Sequence, residues 1–216
     1  MTRVGVLISG SGTNLQALLD ACAEPEFPAE IGVVISNRPK AYGLERARAA
    51  GVPTAFLGHR RFDGREAYDA ALVEVLCEHE VEWVCLAGFM RLVTPVFLGA
   101  FPWRVLNIHP ALLPAFPGQH AQEQALRAGV AIAGCTVHLV DAGTDTGPIV
   151  AQAAVPVLRG DDLDALSARI LVQEHRVYPR VLRWAAEGRI TLRDGRAEVD
   201  LPPGETRWLW AAPPTP

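Results

Sequence analysis

Four stretches of the 216-residue sequence bring together residue types that do chemistry. Asn107-Ile-His109-Pro110 sets an amide and an imidazole two positions apart, so on a strand both would project from the same face. Pro110 would end that strand just beyond them and leave the pair at its C-terminal edge, where open α/β sheets bind ligands. There an amide N–H and an imidazole could stabilise a developing oxyanion and move a proton. The other reading of His109 is a ring satisfied by an ordinary hydrogen bond. Asp141-Ala-Gly-Thr-Asp145-Thr-Gly-Pro148 offers two carboxylates in a Gly-rich turn. They could cap the turn through Asx hydrogen bonds, or one could lie beside His109, orienting the ring and favouring its charged form.

Gly10-Ser-Gly-Thr-Asn14 follows an apolar run and precedes a helical pattern, an arrangement whose free N–H groups attract phosphate. Leu15 stands where the third glycine of a dinucleotide fingerprint would fall, and no Lys completes a P-loop, so a mononucleotide-like phosphate suits it better. The alternative is a plain strand-to-helix turn with Ser, Thr or Asn as N-cap. Glu174 falls on the same helical face as Leu163, Leu166, Ile170, Val177 and Val181, where a carboxylate must be paired or face a cavity. It could hold a substrate amine or hydroxyl, or form a buried ion pair with an arginine. His79 sits near a helix C-terminus, and of His59, His120, His138 and His175, which show no partner in the sequence, most read as structural. His138 alternates with Thr136 on a strand that could border the cleft.

The elements that must position these groups are legible in outline. Val4–Ser9, Ile31–Ser36, Thr54–Leu57, Trp83–Ala87 and Val105–Ile108 read as strands. Helices fit Asn14–Ala23, Tyr42–Ala50 and Glu66–Glu80. Such alternation predicts an α/β protein with an open parallel sheet covered on both sides. After the Pro-rich loop Pro110–Gly118, two long strands, Ala131–Val140 and Ile149–Val157, are expected to be antiparallel. The longest helix is expected from Leu163 to about Glu187, kinked at Pro179, followed by a small hairpin around Asp194-Gly195. Residues 1–200 are expected to form one domain, with halves meeting near residue 105, and 201–216 a loose Pro-rich tail.

A chain of this size buries roughly 70% of its unfolded surface, enough to enclose a site without disulfides. The net charge of -4 argues against a general nucleic-acid binder. Cys22, Cys77, Cys85 and Cys135 have no metal-ligand spacing and read as reduced core residues. No segment suits a signal peptide or a membrane span, which makes the cytoplasm the expected address.

Taken in order, Ile8-Ser-Gly-Ser-Gly-Thr-Asn-Leu-Gln-Ala17, Gly43-Leu-Glu-Arg-Ala47, Phe62-Asp-Gly-Arg-Glu-Ala-Tyr-Asp69, Leu86-Ala-Gly-Phe-Met-Arg91, Leu106-Asn-Ile-His-Pro110 with Leu112-Leu-Pro114, and Gln173-Glu-His175 with Tyr178-Pro179 resemble the phosphoribosylglycinamide formyltransferase family. The resemblance runs from residue 4 to about 200. It implies a Rossmann-like three-layer sandwich, mostly parallel with antiparallel strands in its C-terminal part. It also implies formyl transfer from 10-formyltetrahydrofolate to glycinamide ribonucleotide, a step of purine biosynthesis. Carried over by position, Asn107, His109 and Asp145 would be catalytic; Gly12, Thr13 and Asn14 would hold the phosphate, and Glu174 the ribose or glycinamide end. Arg65, Met90, Arg91, Leu92, Val93 and Asn107, with the loop Val140, Asp141, Ala142, Gly143, Thr144 and Asp145, would line the folate site. The implied partners are these two small molecules, with no metal, nucleic acid or membrane, in a monomer or homodimer.

This chain departs from many relatives at Ala111, where they carry Ser; near Ala115 or Pro117, where they carry Lys or Arg; and at Leu171, where some place a phosphate-reaching Lys or Gln. Methionyl-tRNA formyltransferase and formyltetrahydrofolate deformylase share the Asn, His and Asp chemistry, but each adds a domain for which 216 residues are expected to leave no room. A non-catalytic nucleotide-binding module, with His109 structural, is the reading from another class.

Overall fold

The computed structural model describes residues 1–211. Strand β1 (Thr2–Ile8), helix α1 (Thr13–Cys22), β2 (Ala29–Ser36), α2 (Tyr42–Ala49), β3 (Thr54–Phe56), α3 (Gly64–Glu78), β4 (Trp83–Leu86), α4 (Pro95–Ala100) and β5 (Val105–His109) alternate as the sequence predicts. Short α4 was not anticipated; it opens on Pro95, whose missing N–H costs nothing at a helix start. Then come α5 (Ala121–Ala128), also unanticipated, β6 (Ile132–Leu139), β7 (Ile149–Pro156), α6 (Leu163–Ala186), the hairpin β8 (Ile190–Arg193) and β9 (Arg196–Val199), and β10 (Trp208–Trp210). Helix α6 runs unbroken through Pro179.

The main sheet has the order β10-β7-β6-β5-β4-β1-β2-β3. Strands β3, β2, β1, β4 and β5 are parallel, β6 is antiparallel to β5, and β7 is antiparallel to β6. From β1 the chain builds outward through β2 and β3, then returns to place β4 on the other side of β1. That reversal opens a crevice beyond the C-terminal ends of β1 and β4. Alternation sends Leu106, Ile108, Val137 and Leu139 into the core that α6 covers, with Tyr178, Val181 and Trp184. Leu7, Val33, Ile35, Leu86 and Val105 face the opposite core, closed by Tyr68, Leu72 and Leu76 of α3 and Phe97 of α4.

Two expectations are corrected. The segment after residue 200 is not a loose tail as far as it is described. Trp208–Trp210 pairs in parallel with Gln152–Ala154 at the sheet edge, and Glu205 accepts hydrogen bonds from Arg180 and Trp184 of α6. The remainder of the expected tail, 212–216, lies outside the described residues. Nor are all four cysteines in the core: Cys85 and Cys135 are buried, Cys22 is half-buried and Cys77 is exposed. Burial pushes the Cys85 thiol up to about 12, as it does Cys22 with help from Glu30, so both stay protonated and inert. Among the described residues no helix is long and apolar enough to cross a membrane.

Candidate active site

The register of β5 against β6 pairs Asn107 with His138 and His109 with Thr136. Cross-strand partners project to one face, so an amide, two imidazoles and a hydroxyl form a polar grid on the side away from α6. His109 and His138 are both buried. Strand β7 extends the grid, since Thr136 also pairs with Gln152.

The loop between β6 and β7 folds back over this grid and delivers Asp145. Its Oδ2 lies 3.3 Å from His109 Nδ1 and accepts the Gly118 N–H at 2.8 Å. Its Oδ1 lies 3.6 Å from His138 Nε2 and 3.5 Å from Asn107 Nδ2. Burial works against ionising this carboxyl, but the His138 ring, the Gly118 N–H and the nearby positive charge of His109 outweigh it and hold Asp145 below the usual carboxylate range. The backbone at Asp145 has φ of 56°, a left-handed conformation that side chains other than Gly, Asn and Asp resist. The loop closes tightly, because a Cβ on Gly147 would lie 1.8 Å from the Leu139 carbonyl oxygen. Asp141 does the turn-capping work instead, its Oδ1 accepting from Gly143 N–H and Thr146 Oγ1.

His109 donates Nε2–H to the Phe116 carbonyl at 2.9 Å. With Asp145 at Nδ1, both ring nitrogens face oxygen acceptors, and only the imidazolium donates to both. His138 donates Nδ1–H to its neighbour's carbonyl, Leu139, at 2.8 Å. Its Nε2 accepts from Asn107 Nδ2 at 3.1 Å when unprotonated and, when protonated, donates toward Asp145 Oδ1 instead. His138, for which the sequence showed no partner, thus belongs to the Asp145 network. Its alternation with Thr136 was the available signal; the register that sets it opposite Asn107 is not written in either strand alone.

Between β1 and α1, Gly12 takes the N-cap position with φ of 72° and no side-chain cap, so the alternative of a Ser, Thr or Asn cap is not what forms. The first N–H groups of α1 are left for a ligand. Gly12 is required sterically, since a Cβ there would meet the Gly43 backbone at 2.6 Å. The loop lines a cavity of about 250 Å³ with Arg38, Ala87, Gly88 and Met90, the switch-point crevice itself. Arg46 props the loop from behind, its Nε donating to the Ser11 carbonyl at 2.9 Å. β1 and β5 flank β4, so two strand spacings, about 10 Å, separate this loop from the Asn107 and His109 strand.

Glu174 is buried and has no arginine partner among the described residues, which overturns the ion-pair alternative. Its Oε2 instead accepts from Asn14 Nδ2 at 2.7 Å, joining α6 to the phosphate-type loop. Burial raises the Glu174 pKa, and the Asn14 bond only partly offsets this. Asn14 Oδ1 is itself buried without a partner.

Beside the grid, Arg65 donates Nη2–H to the Leu92 carbonyl at 3.0 Å, and the Met90 N–H is held by Ser9 Oγ at 2.9 Å. Val93 is buried in the core on which Val140 packs, while Met90 and Leu92 are 61% and 54% exposed, an apolar strip with Arg65 and Arg91 at hand. Arg91 lies 5.0 Å over the Tyr68 ring. Ala142, Gly143 and Thr144 are exposed at the tip of the Asp145 loop. Leu171 is half-buried on α6, one turn before Glu174.

The formyl transferase family matches this chain over residues 2–182. The phosphoribosylglycinamide formyltransferase of Escherichia coli (strain K12) is 46% identical over 204 residues, covering 93% of this chain and 96% of that one. The trifunctional purine biosynthetic protein adenosine-3 of Bos taurus is 48% identical over 88% of this chain, which spans only 19% of that protein's length. Among solved structures, glycinamide ribonucleotide transformylase 1 from Symbiobacterium toebii superposes with a TM-score of 0.91 at 58% identity, covering 92% of this chain and 94% of that one. Phosphoribosylglycinamide formyltransferase from Anaplasma phagocytophilum superposes at 0.90 with 44% identity, covering 96% and 97%.

Proposed function

The chain belongs to the formyl transferase family, and from that premise we propose that it moves the formyl group of 10-formyltetrahydrofolate onto the amine of glycinamide ribonucleotide, a step of purine biosynthesis. The observation that carries this reading is the meeting of Asn107, His109 and Asp145 on one sheet face, two strand spacings from an uncapped glycine loop.

In this reading residues 1–105 supply the acceptor side. The N–H groups at Gly12, Thr13 and Asn14 hold the phosphate, and Glu174, fixed by Asn14, takes a ribose hydroxyl or the glycinamide end. About 10 Å of nucleotide arm then carries the amine to the end of β5. Residues 106–200 supply the chemistry and, with Arg65 and the segment Met90–Val93, the folate side. The pteridine and benzoyl rings suit the apolar strip of Met90 and Leu92 and the loop Val140–Asp145, and the tail carboxylates suit Arg65 and Arg91.

The neutral amine attacks the formyl carbon, forming a C–N bond and a tetrahedral oxyanion while the nitrogen becomes cationic. His109 and the Asn107 amide stabilise the oxyanion, and a single such donor is worth about 3 kcal/mol. In this conformation Phe116 takes the His109 Nε2–H, so the formyl oxygen competes for that proton with a peptide carbonyl. Asp145, ionised between two imidazoles, lies where the new ammonium charge develops. It relays one proton, directly or through water, from the amine to the folate nitrogen, whose bond to the formyl carbon then breaks. The products are the formylated nucleotide and tetrahydrofolate, with atoms and charge balanced.

The test mixes purified protein with both substrates and follows release of the free folate by absorbance. Release that needs the nucleotide and disappears in His109→Ala supports the reading. Equal release without the nucleotide identifies a hydrolase instead, and full activity in His109→Ala overturns the assignment of that residue.

A further inference from the structure

Resting on the proposed role of Asp145, we propose that the C-terminal segment Glu205–Trp210 is a strap that positions the Asp145 loop, with Arg207 as its positioning residue. The loop leaves β6 after Leu139 and re-enters the sheet at Ile149, its base closed by the Leu139 N–H on the Pro148 carbonyl at 2.9 Å. Arg207 grips that re-entry point: Nη2 donates to the Ile149 carbonyl at 2.6 Å and Nε to the Val150 carbonyl at 2.8 Å. The Gln152 N–H returns a bond to the Arg207 carbonyl at 2.9 Å, so side chain and backbone of one residue hold the first turn of β7 from its outer edge. The strap is anchored in turn on α6, where Glu205 Oε2 accepts from Arg180 Nη2 at 3.1 Å and from Trp184 Nε1 at 3.0 Å.

The same stretch of β7 steadies the second loop at Asp145. Gln152 Nε2 donates to the Leu113 carbonyl at 2.9 Å and to Thr136 Oγ1 at 3.0 Å. Thr136 Oγ1 also accepts the Leu113 N–H and donates to the Ala111 carbonyl. Through these bonds β7 fixes the loop 110–118, which contributes the Gly118 N–H to Asp145 and the Phe116 carbonyl to His109. Without β10 and Arg207, β7 would be a bare edge strand carrying both loops, and edge strands are free to fray. Asp145 lies four residues before Ile149 in a loop whose base closes at Pro148, so play at Ile149 passes to the carboxylate.

The experiment compares full-length wild type with Arg207→Ala and Arg207→Lys. It measures kcat, both Michaelis constants, thermal midpoint, and amide exchange at Gly118 and along residues 143–147. For Arg207→Ala we expect kcat to fall by roughly ten- to a hundredfold, because a displacement of about 1 Å can cost about 10²-fold. Exchange at Gly118 should speed up, the nucleotide Michaelis constant should stay unchanged, and Lys should restore part of the loss. An unchanged kcat with only a lower thermal midpoint, or an equal loss of nucleotide binding, overturns the proposal. Should Arg207→Ala not fold, Glu205→Gln loosens the anchor on α6 while keeping Arg207, and the same readouts decide. A wild type that transfers no formyl group defeats the functional reading alone, because amide exchange still reports whether Arg207 holds the loop.

Discussion

Asp145 Oδ2 stands 3.3 Å from His109 Nδ1 and 2.8 Å from the Gly118 N–H, so one carboxylate oxygen joins the end of β5 to the two loops on either side of it. Replacing it with an amide of the same shape tests charge rather than packing. Asp145→Asn is expected to lower kcat by about 10²-fold or more, in line with removing a group that works in proton transfer. Nucleotide affinity, measured by titration calorimetry, should be unchanged. A variant with near-normal turnover would remove Asp145 from the mechanism.

The depressed Asp145 pKa fixes the sign of a pH effect. Its folded value lies below its unfolded one, so the stability it contributes is complete above the unfolded value and is lost as pH falls through the folded value. Turnover should therefore not lose this group until the pH drops below about 4, the unfolded carboxylate range. His138→Leu removes the ring that does most to hold the carboxyl down. It is expected to move the acidic limb of the kcat profile to higher pH. A limb that does not move would leave His138 as a packing residue.

Glu174 has the opposite sign. Its folded pKa is raised, so the protein is most stable when this carboxyl is protonated, and stability is lost as pH rises from the unfolded value through the folded one. Glu174→Gln is expected to raise the thermal midpoint at pH 7 and to give no gain at pH 4. The same variant should raise the nucleotide Michaelis constant. Calorimetric melts at the two pH values check the stability effect.

Position 171 tests how the phosphate is held. A Leu contributes no donor, which in the proposed reading leaves the N–H groups around Gly12 with most of that work. Leu171→Lys is expected to lower the nucleotide Michaelis constant and to leave that of the folate unchanged. A constant no lower than wild type would show that this helix face does not reach the phosphate.

Gly147 tests how tightly the loop closes. A methyl group there meets backbone, the Leu139 carbonyl, which cannot swing aside as a side chain would. Gly147→Ala should displace Asp145 and lower kcat by about 10²-fold, the order expected for a misplaced catalytic group. Circular dichroism should show the sheet intact.

Much of this architecture is legible in sequence because it depends on local period. The alternation of β1 through β5 with their helices follows from short apolar runs and helical stripes, and Pro110 marks the strand end that carries His109. Pairing is less legible. His138 joins the network only because β6 sets it opposite Asn107, and Glu174 finds Asn14 because α6 crosses α1. Trp208–Trp210 is too short and too close to prolines to read as a strand; three backbone pairings with β7 and the Arg207 bonds make it one. The N-cap is hard to read for a related reason: Ser11, Thr13 and Asn14 all have capping side chains, but the close approach of the Gly43 backbone makes Gly12 the turning point.

Strand β5 is bordered by a parallel neighbour on one side and an antiparallel one on the other. The loop that leaves β5 is tied to the Asp145 hairpin through the Gly118 N–H, whereas the glycine loop after β1 lies two strand spacings away from it. In the proposed reading the seam therefore sets the phosphate loop and the reacting groups on different strands. A lineage could retune the turn after β1 for a different anion while the hairpin beyond β5 keeps its geometry.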